Sequence, residues 1–284
     1  MQIIDGFSEI SDRYDAILCD VWGVIRDGHR LLPEAMDALA RFRADGGTVV
    51  LVSNAPRPAD DLARQLAAMG AGTDSWDGIV TSGDTTRAAL KERAPGPVFR
   101  LGPDERDEAL FEGLELDFVA LEAASFVACT GLVDDLNEDP GDYIGLLETM
   151  KARDLELVCA NPDIVVQWGD RLVWCAGALA RMYEKMGGRT IVSGKPHAPI
   201  YDLAEAALAE MGFDGGRDRI LAIGDGPETD LAGAAGRGID ALFIAGGILG
   251  ESLDDAGLSE AGLEAALDEY GVLSRWAAQS LRWS

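Results

Sequence analysis

From Asp15 onward, short apolar runs alternate with segments of helical spacing, and this alternation narrows the possible folds more than any other feature of the chain. The run DAILCDV suits a strand covered on both faces. LPEAMDALARFRADGG follows with helical spacing, a proline near its start and glycines past its end. TVVLVSN, PADDLARQLAAMG and DGIVTSG continue as strand, helix and strand. The rhythm returns near the other end, where RTIVSGK, DRILAIGD and IDALFIAGG read as strands and APIYDLAEAALAEMG and ETDLAGAAGRG as helices. Such alternation builds a parallel sheet with helices on both faces, and both ends of the chain are expected in one such doubly wound sheet.

Between them, from Gly83 to Gly188, lie further strand-like runs (PVFRLG, SFVACTG, LELVCANP, DIVVQWGDRLVWC) and two helical ones (GDYIGLLETMKARD, GALARMYEKMGG). This stretch is long enough for an α/β unit of its own. The expected organisation is a core of residues 1–82 and 189–284 with residues 83–188 inserted into it. A chain of 284 residues has room for both.

The charge balance restricts the ligands. With 50 acidic against 24 basic residues and a formal charge of -26, a nucleic-acid groove would be built against the field of the whole molecule. An anionic small molecule needs metal ions and a few basic groups to reverse that field locally. Only four lysines are present, Lys91, Lys151, Lys185 and Lys195. The four cysteines, Cys19, Cys129, Cys159 and Cys175, stand singly in apolar stretches, which reads as buried free thiols rather than a zinc site or a disulfide framework. The first residues lack a charged segment before an apolar one, and no window holds about 18 uninterrupted apolar residues, so a cytoplasmic protein without a membrane span is expected.

Four apolar runs end in a polar residue: Asp20 after AILC, Ser53 and Asn54 after VVLV, Lys195 after TIVSG, and Asp225 after ILAIG. In an open parallel sheet the carboxyl ends of the strands share one edge, and ligands bind there. Asp20 and Asp225 are hard oxygen ligands suited to Mg²⁺, while Ser53, Asn54 and Lys195 are donors suited to phosphate oxygens. Metal, phosphate donors and a carboxylate able to attack phosphorus describe phosphoryl transfer through an aspartyl-phosphate.

The ordered stretches DVWGV, LVSNAPR, SGKP and GDGPETD resemble the four motifs of the haloacid dehalogenase (HAD) superfamily. NPD at Asn161 to Asp163 and GALARMYEKMGGRTIVSGKP further resemble the cap and the cap-to-core junction of its class IIA, NagD-like branch. The resemblance implies a Rossmann-like core with an inserted α/β cap of the C2 type, and a Mg²⁺-dependent hydrolase of a small phosphorylated metabolite. It makes Asp20 the nucleophile and a metal ligand, with the backbone carbonyl of Trp22 as a further ligand and Asp225 holding the metal. Asp230 would support the metal from a second layer, Ser53 and Asn54 would cradle phosphate, and Lys195 would neutralise nucleophile and phosphoryl group. A homodimer is compatible with it.

The departure is Trp22, which stands where the family's phosphatases carry a second aspartate that protonates the leaving oxygen and activates water. Indole does neither, and loss of a general acid and base typically costs about 10² to 10⁴ in rate. His29, beside Arg26 and Asp27, is the nearest titratable substitute, and His197 reads as a helix-start residue. A leaving group such as an acyl phosphate would need little protonation. Two other readings stay open: a catalytically impaired phospho-ligand-binding or regulatory protein, and a hydrolase of a non-phosphate substrate.

Overall fold

The computed structural model describes residues 1–28, 30–103, 106–168, 171–250 and 259–284. The first third contains β1 (Gln2–Ile3), β2 (Ala16–Cys19), the short antiparallel pair β3 (Arg26–Asp27) and β4 (Arg30–Leu31), α1 (Pro33–Ala44), β5 (Thr48–Ser53), α2 (Ala59–Ala68), β6 (Gly78–Thr81) and α3 (Ser82–Lys91). The middle adds β7 (Val98–Leu101), α4 (Glu108–Phe111), β8 (Phe126–Cys129), α5 (Ile144–Ala152), β9 (Glu156–Cys159), the hairpin of β10 (Val165–Trp168) and β11 (Arg171–Trp174), α6 (Ala176–Lys185) and β12 (Arg189–Val192). The chain closes with α7 (Ala198–Glu210), β13 (Ile220–Gly224), α8 (Ala232–Arg237), β14 (Asp240–Ile244), α9 (Glu260–Asp268) and β15 (Trp276–Ala278).

Seven parallel strands form the larger sheet, in the order β1-β15-β14-β13-β2-β5-β6. Its central strands are apolar throughout because both faces are covered. Ile17, Cys19, Val49, Leu51, Leu221 and Ile223 point into one core, shared with Leu39 and Phe42 of α1 and Leu62 and Leu66 of α2. The intervening residues Ala16, Leu18, Val50, Val52, Ile220 and Ala222 point into the other, against Tyr201, Ala204 and Leu208 of α7 and Ala234 of α8. The period of two along each strand thus feeds two cores at once. This is the expected doubly wound α/β architecture.

One strand lies elsewhere than expected. RTIVSGK was assigned to the first sheet, but β12 pairs with β9 in a separate parallel sheet of order β12-β9-β8-β7. Beside β2, both positions are already filled, by β13 and β5, whereas β9 has an open edge on which Ile191 and Val192 bury against the cores beneath it. At the far edge of the large sheet, β1 and β15 pair with each other, so the two ends of the chain meet; neither run is long enough to be read as a strand from sequence. All four cysteines are free and buried, as expected. Among the described residues, no helix is long and apolar enough to cross a membrane.

Candidate active site

β2, β5 and β13 are adjacent in the sheet, and each ends on a side chain of interest: Asp20, then Ser53 with Asn54, then Asp225. Asp20, Asp225 and Asp230 each offer a carboxylate oxygen within 4.8 Å of one another, all in buried positions. Asp230 comes from the helical segment expected after β13, which opens as a π-helical turn over Pro227–Leu231 before α8 begins. Its Oδ2 accepts the N–H of Gly226 at 3.1 Å.

Lys195 enters this cluster from the segment that follows β12, a crossing between the two sheets rather than an end of the large one. Its Nζ donates to Asp20 Oδ1 at 2.5 Å and to Asp230 Oδ1 at 2.7 Å. Burial opposes the ammonium charge, but Asp20, Asp230 and Asp163 outweigh it and hold the lysine well above its ordinary value. Burial pushes the Asp20 carboxyl well up; Lys195 pulls it back in part, while Asp230 and Asp225 add to the rise. Asp225 is pushed up to about 7 by burial and by Asp230, against the pull of the Ile248 N–H and Lys195. Ile248 N donates to Asp225 Oδ2 at 2.7 Å. Three buried carboxylates with one lysine between two of them offer hard oxygen atoms whose retained protons a cation would displace, and such a donor set fits a small divalent ion such as Mg²⁺.

Space around these groups is tight. Gly23 sits at φ +75°, where glycine is favoured, and a Cβ there would lie 2.0 Å from Asp225 Oδ2; one on Gly247 would lie 2.2 Å from the same atom.

Asn54 departs from the expected free phosphate donor. Its Nδ2 donates to Asp163 Oδ1 at 2.8 Å and to the Lys195 carbonyl at 3.2 Å, and its Oδ1 accepts the Lys195 N–H at 2.8 Å. The amide therefore clasps the lysine segment on both sides and ties it to Asp163. In the sequence Asp163 stands out only as part of the NPD resemblance, with no role attached to it. Its carboxyl is pushed up to about 6 by burial, against Lys195 and the Asn54 hydrogen bond, with Asp230 adding to the rise. Ser53 is buried at the end of β5, and its Oγ accepts the Ala55 N–H at 3.2 Å. Asp20, Trp22, Ser53, Asn54, Lys195 and Asp225 line one small cavity of about 50 Å³.

Trp22 holds no acid or base in place of the missing carboxylate. The guanidinium of Arg26 lies 4.1 Å from its ring centroid, and the ring of Trp168 in β10 lies at 5.6 Å, tilted by 31°. The turn that brings Arg26 back is closed by Gly23 N to Arg26 O at 3.0 Å and Arg26 N to Val21 O at 3.1 Å. Of the two histidines, His29 lies outside the described residues, and His197 precedes α7, its imidazole held below the ordinary value by burial. Arg26 was noted in the sequence only as a neighbour of His29, and Trp168 drew no attention there.

Two family models match the chain: haloacid dehalogenase-like hydrolase over residues 17–115, and HAD-hydrolase-like over residues 192–269. A solved haloacid dehalogenase-like hydrolase from Brucella suis 1330 is 42% identical, covers 98% of this chain and 99% of its own, and superposes with a TM-score of 0.87. Chronophin of Bos taurus is 29% identical over 245 residues, 78% of each chain. The ribonucleotide monophosphatase NagD of Escherichia coli K12 is 25% identical over 242 residues, 84% of this chain and 90% of that one. With its parallel sheet, its second sheet inserted between β6 and β13, and Asp20, Lys195 and Asp225 gathered at one edge, the chain belongs to the haloacid dehalogenase-like hydrolases, in their NagD-like class IIA branch.

Proposed function

We propose that the protein is a Mg²⁺-dependent phosphatase of a small phosphorylated metabolite, with Asp20 as nucleophile. The observation that carries this reading is the buried cluster of Asp20, Lys195, Asp225 and Asp230 at the ends of adjacent strands. The name of NagD, a ribonucleotide monophosphatase, supports the reaction class.

An oxygen of Asp20 attacks phosphorus, the bond to the leaving oxygen breaks, and the leaving group departs with the electron pair, giving an aspartyl-phosphate. Water then attacks phosphorus and returns the Asp20 carboxylate. Lys195 favours the ionised form of that carboxylate and shields its charge from the incoming phosphate. Asn54 positions that lysine through its main chain, and Ser53 with neighbouring N–H groups cradles the phosphate oxygens. Asp20, Asp225 and the Trp22 carbonyl would hold Mg²⁺, with Asp230 supporting; the ion supplies charge neutralisation at the phosphate oxygens. Residues 83–188, continued by β12, act as the cap over this edge. With Trp22 in place of the acid, the leaving group departs without a proton, which favours acyl or aryl phosphates over alkyl esters.

Phosphate release from a panel of aryl, acyl and alkyl phosphates with Mg²⁺ tests this reading. Release that ceases on chelation and returns with Mg²⁺ is the expected result, and no release from any member would sink it. Because Trp22 removes the acid, a second reading is a binding protein that retains the phosphate cradle. A long-lived phosphoryl group on Asp20, without steady turnover, would favour that one.

A further inference from the structure

Trp22 also walls a second cavity, of about 300 Å³, which adjoins the small one and shares Trp22, Asp163 and Val166 with it. Arg26, Arg57, Arg106, Thr130 and Trp168 are among the residues that line it. Two of the three arginines have carboxylate partners. Arg57 bonds Asp61 at 3.0 Å and lies 3.7 Å from Asp107, and Arg106 bonds Asp107 at 3.2 Å and pairs with Asp135. The Asp135 and Asp163 carboxylates that reach the cavity are thus engaged, with Arg106 and with Asn54.

Arg26 differs. It is 5% exposed, its Nη2 donates to the Gly28 carbonyl at 2.5 Å, and no carboxylate pairs with it among the described residues. Its Nε is buried without a hydrogen-bond partner, and so is Thr130 Oγ1. A buried guanidinium lacking a counter-ion is costly to a fold, as is each unmade hydrogen bond. Those two atoms are closed off from the cavity, but a guanidinium that lines it without a carboxylate, beside indole rings and next to Asp20, has the chemistry of a site for an oxyanion on a flat molecule.

We infer that this cavity is the leaving-group subsite, and that it takes a planar phosphorylated compound bearing a second oxyanion, held by Arg26. The assignment deepens the phosphatase reading and rests on it for the orientation of the substrate: phosphorus at Asp20, the planar group past Trp22, the second anion at Arg26.

Three probes differing only in that second group test it: phenyl phosphate, 4-carboxyphenyl phosphate and 1,4-phenylene bisphosphate. The native protein with Mg²⁺ should prefer at least one charged probe by 10-fold or more in kcat/KM, and the better of the two names the oxyanion. Arg26→Met should erase that preference, and Arg26→Lys should keep part of it should the first variant fold poorly. Phosphate release at equal efficiency from all three, or a preference that survives Arg26→Met and Arg26→Lys unchanged, overturns the subsite while leaving the phosphatase standing. Binding of the same probes, followed by tryptophan fluorescence, gives the converse. Tighter binding of a charged probe, lost in Arg26→Met, with no phosphate released from any, keeps the subsite and sinks the phosphatase.

Discussion

On one side of Trp22 the charged groups are closed upon each other: Lys195 bridges Asp20 and Asp230, Asp225 takes the Ile248 N–H, and the Asn54 amide is spent on Lys195 and Asp163. On the other side Arg26 lines a cavity with no carboxylate paired to it among the described residues. Saturated polar networks fix a geometry in advance, whereas a charge that lines a cavity without a counter-ion leaves a place for one. We read chemistry into the first region and recognition into the second, and each of the following variants bears on that reading.

The largest effect is expected from Asp20→Asn, which removes the nucleophile while keeping the shape of the closed side. Phosphate release should fall by about 10⁴-fold or more, and labelling with radioactive substrate should leave no phosphoryl group on the protein. Residual turnover near the native rate would take the chemistry away from this region altogether.

Lys195→Met should follow, with about a 10³-fold loss of turnover. It also leaves Asp20 and Asp230 facing each other without a cation. Unfolding in urea without metal should show a loss of about 3 to 5 kcal/mol, smaller when Mg²⁺ is added because carboxylates freed of the lysine bind the ion more tightly than those of the native protein. Equal losses with and without Mg²⁺ would argue that the carboxylates do not take up the ion.

Trp22→Asp moves the boundary itself. Restoring an acid at this position should raise turnover of alkyl phosphates about 10²-fold or more and change aryl phosphates little, as read by kcat on matched pairs. A fall for both classes would make the indole part of a working mechanism.

The smallest effect belongs to Asp163, where the two regions touch. Burial pushes its carboxyl up to about 6, above its unfolded value near 3.9, so the folded chain keeps its proton longer than the unfolded one. Stability from this group is full below about pH 4 and is lost as pH rises through about 6. Asp163→Asn should therefore gain on the native protein between pH 4 and 7, by about 1 to 3 kcal/mol. Urea midpoints at both pH values check it, and a gap that does not widen would contradict the assignment.

The closed side was largely legible in the sequence, because apolar runs such as AILC and ILAIG end abruptly on carboxylates and a parallel sheet gathers such ends. The neighbour of β12 was not legible: the run RTIVSGK says that a strand is half buried, but not which edge it joins. The spent amide of Asn54 was equally hidden, since partners at Asp163 and Lys195 lie more than a hundred residues away. Arg26 is an ordinary residue in sequence, and its want of a counter-ion beside a cavity shows only once the two sheets face each other.

Gly23 sets the tolerance of the whole arrangement. The turn after Asp20 and the carboxylate of Asp225 approach so closely that a single methyl group would have to occupy the place of an oxygen atom 2.0 Å away. The loop after Asp20 and the Asp225 carboxylate beside it are therefore gauged against each other by an absent side chain, and two strands brought together from opposite ends of the chain keep their shared site to within the width of one carbon.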